Sequence, residues 1–382
     1  MFSLSEEQTA ILNSVKMLTN QEISPYAQTW DAQEHFPIAA FKKAADLGLA
    51  GLFASEQFGG INLSRLDGVL IFEEIAAGCV STSAFLSIHN MVVGLIDKYA
   101  TAEFKSAWLP RLISFDSCAS YCLTEPHSGS DAAALKTSAI DCGDYFLVHG
   151  SKAFISGAGV SDIYATMVRT GGNDYKGISC LLIPKDTPGV TFGQKEQKMG
   201  WRNQPTAMVY FENCQVPKSN LLGEEGMGFR YALQALNGGR LNIAACSLGG
   251  ARRALQLTER YMHERSQFGR PLKDIQALRF YFAKMLMNYE AARNMVLKAA
   301  SLYDCQDKTA PRYCAMAKHF VTEHCNEIID LALQIHGGYG YLSDYHIERI
   351  YRDCRVNAIL EGTNEIMSEI IAKTTLDDEL PW

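Results

Sequence analysis

The chain has 382 residues, 47% hydrophobic and 20% charged, the profile of an ordinary folded protein of two or three domains. A net charge of −7 and a pI near 5.8 argue against a nucleic-acid or anionic-membrane binder. No run of about 18 uncharged apolar residues occurs, so no membrane-spanning helix is expected.

The opening, "MFSLSEEQTA", is polar and early acidic. It has no basic segment leading into an apolar core and is not Arg-rich. Neither a secretory nor a transit signal is expected, and the chain reads as cytoplasmic or as a mature form already trimmed. Residues 1–116 read as helical. Ser5-Glu6-Glu7-Gln8 is a capping box, followed by Ile11, Val15 and Leu18 at helical spacing. Leu66–Ala77 and Val92–Tyr99 have the same character.

Residues 117–226 change texture. "YFLVHGSKAFIS", "DIYATMVR", "ISCLLIPK" and "AMVYFENCQVP" are short, β-branched or aromatic, and separated by turn residues. An antiparallel barrel or sandwich is expected there. Residues 227–382 are helical again. Leu278, Phe282, Met285, Tyr289, Ala292, Val296, Ala299 and Tyr303 form a heptad seam, which predicts a long helix in a bundle or at a subunit interface. The tail, "TTLDDELPW", reads as loosely held. The helix–β–helix order makes the fold class α+β and does not fit a doubly wound sheet.

The 11 cysteines are scattered, with one close pair, Cys118 and Cys122. Without C-x-x-C or H-E-x-x-H spacing, they read as reduced thiols, with no disulfide frame and no metal site. His336 stands in a glycine-rich turn with no partner at ligand spacing. No G-x-G-x-x-G opens a helix after a strand, so nicotinamide dinucleotide binding has no support.

Several stretches carry chemical potential. "RVNAILEGTNEIM" runs apolar cover straight into Glu361 and breaks at Gly362. One reading is a surface turn, with Thr363 capping a helix that starts near Asn364 and Glu365. The other is a general base at the edge of an apolar pocket, its pKa raised by burial. "YCLTEPHSGSD" offers hydroxyls and backbone N–H groups that suit a phosphate or ring heteroatoms, or else a plain turn. In "SKAFISGAGVSD", Phe154 and Ser156 share one side of a strand and could support a flat heterocycle. "LNGGRLNIA" places Arg240 at the start of a long helix, where a cation opposes the dipole unless an anion is held there. "HERSQFGRPL" reads as a helix end. "QIHGGYGYLSDY" reads as a tight loop that lets backbone approach something closely.

Taken together and in this order, these stretches resemble the acyl-CoA dehydrogenase family, FAD enzymes that desaturate acyl-CoA thioesters. The resemblance spans the whole chain. "STSAFLSIHN", "GSKAFISGAG", "KGISC" and "LNGGR" look most like the branch of that family acting on isobutyryl-CoA. It implies three domains: an N-terminal helical domain (1–116), a central β domain (117–226) and a C-terminal helical bundle (227–382).

Within "LEGTNE", the resemblance makes Glu361 the catalytic base, with its own N–H and an FAD hydroxyl on the thioester oxygen. Tyr121, Leu123, Thr124, Gly129 and Ser130 would line the flavin, Ser130 also lying near substrate. Phe154, Ile155 and Ser156 would pack on the isoalloxazine ring. Arg265, Phe268 and Gln276 would hold the FAD of a neighbouring subunit, joined by Gln334, Ile335, Gly337 and Gly338. Thr363, Asn364 and Glu365 would complete the flavin site. Asn237, Gly238, Gly239, Arg240 and Gly362 would lie along the CoA and acyl group.

Homotetramers and transfer of electrons to electron-transferring flavoprotein are implied in the same way. Two positions depart from the family pattern. His127 stands where relatives commonly carry Gly, which implies backbone strain if φ is positive there. Ser368 stands where Arg is frequent. A non-catalytic relative acting as an assembly protein would be expected to lose the base or the flavin residues, and here both remain.

Overall fold

The computed structural model describes residues 4–377, so the last residues of the tail, 378–382, lie outside the described range. The N-terminal helices are α1 (Glu6–Leu18), α2 (Ala27–Gln33), α3 (Ile38–Asp46), α4 (Arg65–Gly78), α5 (Val80–Tyr99) and α6 (Ala102–Ile113). The Ser5 capping box forms as expected: its side chain accepts from Gln8 N, and Gln8 answers on Ser5 N. Ser64 and Asp67 repeat the device on α4. α5 is long and apolar enough to cross a bilayer, yet most of it is buried inside the protein as a core helix.

The β domain holds β1 (Ala119–Cys122), β2 (Ser138–Asp141), β3 (Tyr145–Ser156), β4 (Ile163–Arg169), β5 (Ile178–Pro184), β6 (Val190–Phe192) and β7 (Thr206–Pro217). They form one curled sheet in the order β1-β4-β2-β3-β7-β6, with β5 on the other side of β4. The hairpin pairs are antiparallel, as expected. β1 differs: it comes directly off the helical domain and lies parallel to β4, so the sheet is mixed. β3 is bulged twice against β7, between Val148 and Gly150 and between Lys152 and Ile155. The second bulge puts Phe154 at φ +59 and turns its ring outward, 70% exposed.

The C-terminal domain is built on α7 (Gly228–Glu264), which packs against α4, α5, α8 (Gln276–Asp304) and α9 (Ala310–His336). A small hairpin, β8 (Ser266–Gln267) with β9 (Arg270–Pro271), separates α7 from α8. α10 (Ile347–Arg355) and α11 (Asn364–Ala372) close the bundle. The heptad seam of α8 is core packing: Met285, Tyr289, Ala292, Val296 and Ala299 are buried in the core shared with the N-terminal helices.

Two expectations are corrected. Arg240 is not at a helix start. α7 begins twelve residues earlier at Gly228, and Gly238 and Gly239 lie inside it. The glycines do not break the helix because neighbours fill the space they leave: a Cβ at Gly238 would meet the Arg65 guanidinium at 2.9 Å, and one at Gly239 would meet the Glu361 carboxylate at 2.5 Å. His127 is not in the left-handed region, so the strain does not arise; it lies 3.4 Å from Glu125 Oε2 instead. Ser368 is exposed, its hydroxyl donating to Asn364 O.

All three domains meet at α10. Arg352 pairs with Asp31 of α2 at 2.7 Å and donates to Met199 O of the β domain at 3.1 Å. Buried Asp353 accepts from Trp201 N at 2.6 Å and faces Arg349 at 3.7 Å. Burial pushes the Asp353 carboxyl up to about 6, against the pull of Arg349. Asp353→Ala would leave Trp201 N without its acceptor and Arg349 buried and uncompensated. It is expected to lower stability by about 3–5 kcal/mol in urea unfolding; an unchanged midpoint would count against the clamp.

Candidate active site

α10 ends at Arg355, and a short helical turn, Val356–Ala358, leads to the base of the site. Glu361 (φ +56) and Gly362 (φ +90) are both left-handed and turn the chain back into α11. Thr363 caps that helix, its hydroxyl accepting from Ile366 N. A left-handed Glu is strained and persists only where its surroundings over-determine it. The stretch therefore holds a helix cap and an inward carboxylate at once. The residue as a whole is half-buried, but its Oε2 is shut off from solvent and has no hydrogen-bond partner among the described residues. Burial pushes the carboxyl up to about 7, with Arg240 and Lys318 pulling the other way. The Glu361 N–H likewise finds no partner among the described residues.

The turn is gripped from two helices. Arg240 of α7 donates from Nε to Glu361 O at 3.4 Å and from NH1 to Asn237 Oδ1 at 2.7 Å. Lys318 of α9 donates to Gly362 O at 2.7 Å and to Asn364 Oδ1 at 2.9 Å. The Asn364 side chain is buried against Lys318 and Thr322, so it holds the turn rather than facing the open site. Glu365 is exposed.

Tyr121 reaches the same corner from β1. Its phenol oxygen is buried without a partner among the described residues, and the Glu361 charge helps hold it protonated after burial does most of that work. Downstream, Leu123 and Thr124 lead to Glu125, which forms a buried ion pair with Lys152 of β3 at 2.7 Å. Glu125 also accepts from Lys136 N and Thr137 N at 2.7 and 2.8 Å. Burial pushes its carboxyl up, but Lys152 and these hydrogen bonds carry it below its ordinary value. Lys152 Nζ also donates to Leu123 O, and Ala153 N donates to Thr124 O at 2.8 Å. The pair thus welds the Thr124–Ser130 loop to the bulge that presents Phe154.

Gly129 and Ser130 are exposed, and a Cβ at Gly129 would meet nothing within 4 Å. The hydroxyls of Thr124, Ser130 and Ser156 have no partner among the described residues. An outward aromatic ring beside free hydroxyls and open backbone fits a flavin. Ile155 is the exception in this group: its side chain faces the β-domain core.

A second cluster sits elsewhere. Arg265, Gln267, Leu278, Ile335, Gly337 and Gly338 line a cavity of about 400 Å³ where α7, α8 and α9 meet. Phe268 (φ +52) projects almost fully exposed beside it, and Gln276 and Gln334 are exposed at its margins. By helical rise, α7 separates Arg240 from this cluster by roughly 36 Å. One chain therefore places the predicted residues in two groups: Tyr121, Asn237–Arg240 and Gly362 with Glu361, and Arg265 to Gly338 far from it. All 11 cysteines are free, and the described residues hold no group of His, Cys, Asp or Glu fit for a metal.

Sequence reasoning missed Lys318 and Lys152, and read Glu125 as part of the loop without its buried pairing. The signal for Lys318 was present: it occupies the apolar stripe of α9 with Cys314, Val321 and Cys325 at helical spacing, where a lysine is out of place. Lys152→Met would leave Glu125 buried without its cation. It is expected to cost about 3–5 kcal/mol and to release flavin on gel filtration; full flavin retention with unchanged stability would refute the weld.

Family models agree with this architecture along the chain. The acyl-CoA dehydrogenase N-terminal domain matches residues 5–116, the middle domain 120–214 and the C-terminal domain 226–376. The chain is 48% identical over 377 residues to mitochondrial isobutyryl-CoA dehydrogenase of Dictyostelium discoideum, covering 98% of this chain and 91% of that one. The protein of the same name from Bos taurus is 47% identical, with 98% and 90% covered. The solved structure of butyryl-CoA dehydrogenase from Megasphaera elsdenii superposes with a TM-score of 0.95 at 32% identity, covering 98% of this chain and all of that one. The chain belongs to the acyl-CoA dehydrogenase family, a family of flavoprotein oxidoreductases acting on CH–CH groups.

Proposed function

We propose that the protein is an FAD-dependent dehydrogenase of short branched acyl-CoA, oxidising isobutyryl-CoA to methacrylyl-CoA in valine catabolism. The buried, unpartnered carboxylate of Glu361 carries this reading. A carboxylate kept dry and strained, beside two cations, suits removal of a weakly acidic proton α to a thioester. The free N–H of Glu361 is available to the thioester oxygen as negative charge develops there. Arg240 and Asn237 fix the helix side of the acyl cleft, and Gly239 leaves the room the carboxylate occupies. Bound FAD supplies the electron sink that takes the β-hydrogen as hydride.

Tyr121, Thr124, Ser130, Phe154, Ser156 and Thr363 would hold the flavin on the side facing Glu361. Arg265, Phe268, Gln276 and the Gln334–Gly338 segment would serve the flavin of a neighbouring subunit, because their own chain sets them so far from Glu361. That sharing requires more than one copy, and a homotetramer is the assembly inherited with the family. The exposed apolar residues Phe280, Leu286 and Met287 on α8 supply surface for it. Electron-transferring flavoprotein is the acceptor inherited with the family. The chain reads as cytoplasmic, with the mitochondrial matrix as the alternative.

The test is a kinetic panel of isobutyryl-, 2-methylbutyryl- and butyryl-CoA. Isobutyryl-CoA is expected to lead 2-methylbutyryl-CoA, one methylene larger, by about 10–200-fold in kcat/KM, and to lead its straight-chain isomer butyryl-CoA as well. Glu361→Gln should keep its yellow flavin and lose about 10²–10⁴-fold in kcat. Because the free protein must first ionise a carboxyl raised to about 7, kcat/KM should climb as pH rises through that value. A fully active Gln variant would sink the assignment of the base.

A further inference from the structure

We propose that Lys318 is a positioning residue for the base: its ammonium pins the Gly362 carbonyl and the Asn364 side chain so that the turn aims the Glu361 carboxylate at Gly239. The proposal rests on Glu361 being the base. Lys318 is fully buried in the middle of α9, in a stripe that is otherwise apolar. Lysine almost never occupies such a place unless its charge is compensated. Here no carboxylate lies within ion-pair distance among the described residues. Its two bonds go to neutral oxygens, at 2.7 and 2.9 Å. A neutral donor could cap the turn without the desolvation that a buried ammonium brings. What the charge adds is an effect on the acid it feels most strongly, Glu361.

The geometry of the turn makes the same point. Glu361 and Gly362 are consecutive left-handed residues, and both of their carbonyls are tied to cations: Glu361 O to Arg240 and Gly362 O to Lys318. Asn364 is itself locked by Thr322, so the grip of Lys318 extends one residue into α11. Without Lys318 only Arg240 would hold the strained pair, and from one side.

The charged and titratable groups around the site are few. Arg240 faces it from α7 and Tyr121 from β1, while Glu365 of α11 and Glu323 of α9 act on Lys318 at longer range. His319 of α9 acts on Glu365. Arg240 and Lys318 are the cations that favour the ionised Glu361. Removing one of them leaves burial less opposed, so the carboxyl moves further up.

Lys318→Met is expected to keep flavin, to lose at least about tenfold in kcat with little change in KM, and to shift the acid limb of kcat/KM upward by about one pH unit. Lys318→Arg keeps the charge and should return the limb close to the native position while recovering part of kcat. Should Lys318→Met fail to fold, Lys318→Gln, which keeps a donor without the charge, carries the same limb measurement. Activity is not the sole readout. The infrared band of the protonated Glu361 carboxyl, identified by its loss in Glu361→Gln, should titrate at higher pH in the resting Met variant. An inactive Glu361→Gln beside a Lys318→Met whose limb and band do not move would overturn this proposal alone. An active Glu361→Gln would overturn the base assignment and this proposal with it.

Discussion

Keeping one carboxylate out of water is the constraint around which the rest of the molecule is arranged. A buried, unpaired carboxylate is among the least favourable groups a protein can contain. Here the surroundings oppose burial without forming a direct ion pair. Arg240 and Lys318 bond to the backbone around Glu361 rather than to its carboxyl oxygens, so their charges lower its pKa while leaving Oε2 free. A direct bidentate pair would have held the carboxylate deeply ionised and occupied the lone pairs a base needs. The balance leaves the carboxyl raised to about 7.

That arrangement requires four separate chain segments to agree on one position. The turn leaves α10, which is held to the N-terminal domain by Arg352 and to the β domain by Asp353. α7 contributes Gly239 and Arg240, and α9 contributes Lys318. Tyr121 arrives from a strand whose own partner, β4, runs parallel to it. The Glu125–Lys152 pair ties the loop that carries the free hydroxyls to the bulge that presents Phe154. Two left-handed non-glycine residues, Phe154 and Glu361, mark the two halves of the site. In both cases strain serves orientation: one turns an aromatic ring outward, the other a carboxylate inward.

How much of this was legible depends on the range of the interaction that decides it. The Ser5 box, the Thr363 cap and the α8 seam are settled within a few residues, and the sequence reads them directly. The inward Glu361 was legible as a conflict, apolar cover meeting a charge, though only the fold shows that the carboxylate points inward while Thr363 caps the next helix. The Gly238–Gly239 pair misled because glycine propensity suggests a helix boundary. Across the fold, Arg65 and Glu361 fill the missing Cβ positions and the helix runs through. Strict alternation placed Phe154 and Ser156 on one face but could not show the bulge at Phe154, which depends on register with β7. The parallel seat of β1 depends on a partner more than 40 residues away. Lys318 was hidden for the opposite reason: its anomaly was local, but its meaning lies in the turn it touches, 44 residues on.

The long helix α7 gives the two clusters a common frame. Its 37 residues run from beside the β domain to the hairpin at Ser266. A helix of such length curves gently around the core it packs on, and α4, α5, α8 and α9 all pack along it. About a third of the way along it carries Arg240 against the Glu361 turn; its far end delivers Arg265 to the open cavity. On the proposed sharing of a flavin between copies, this offset of roughly 36 Å along one helix is what keeps the Arg265 cavity from serving the Glu361 turn of its own chain. Gly238 and Gly239, filled by Arg65 and Glu361, are where that rod could most easily have yielded.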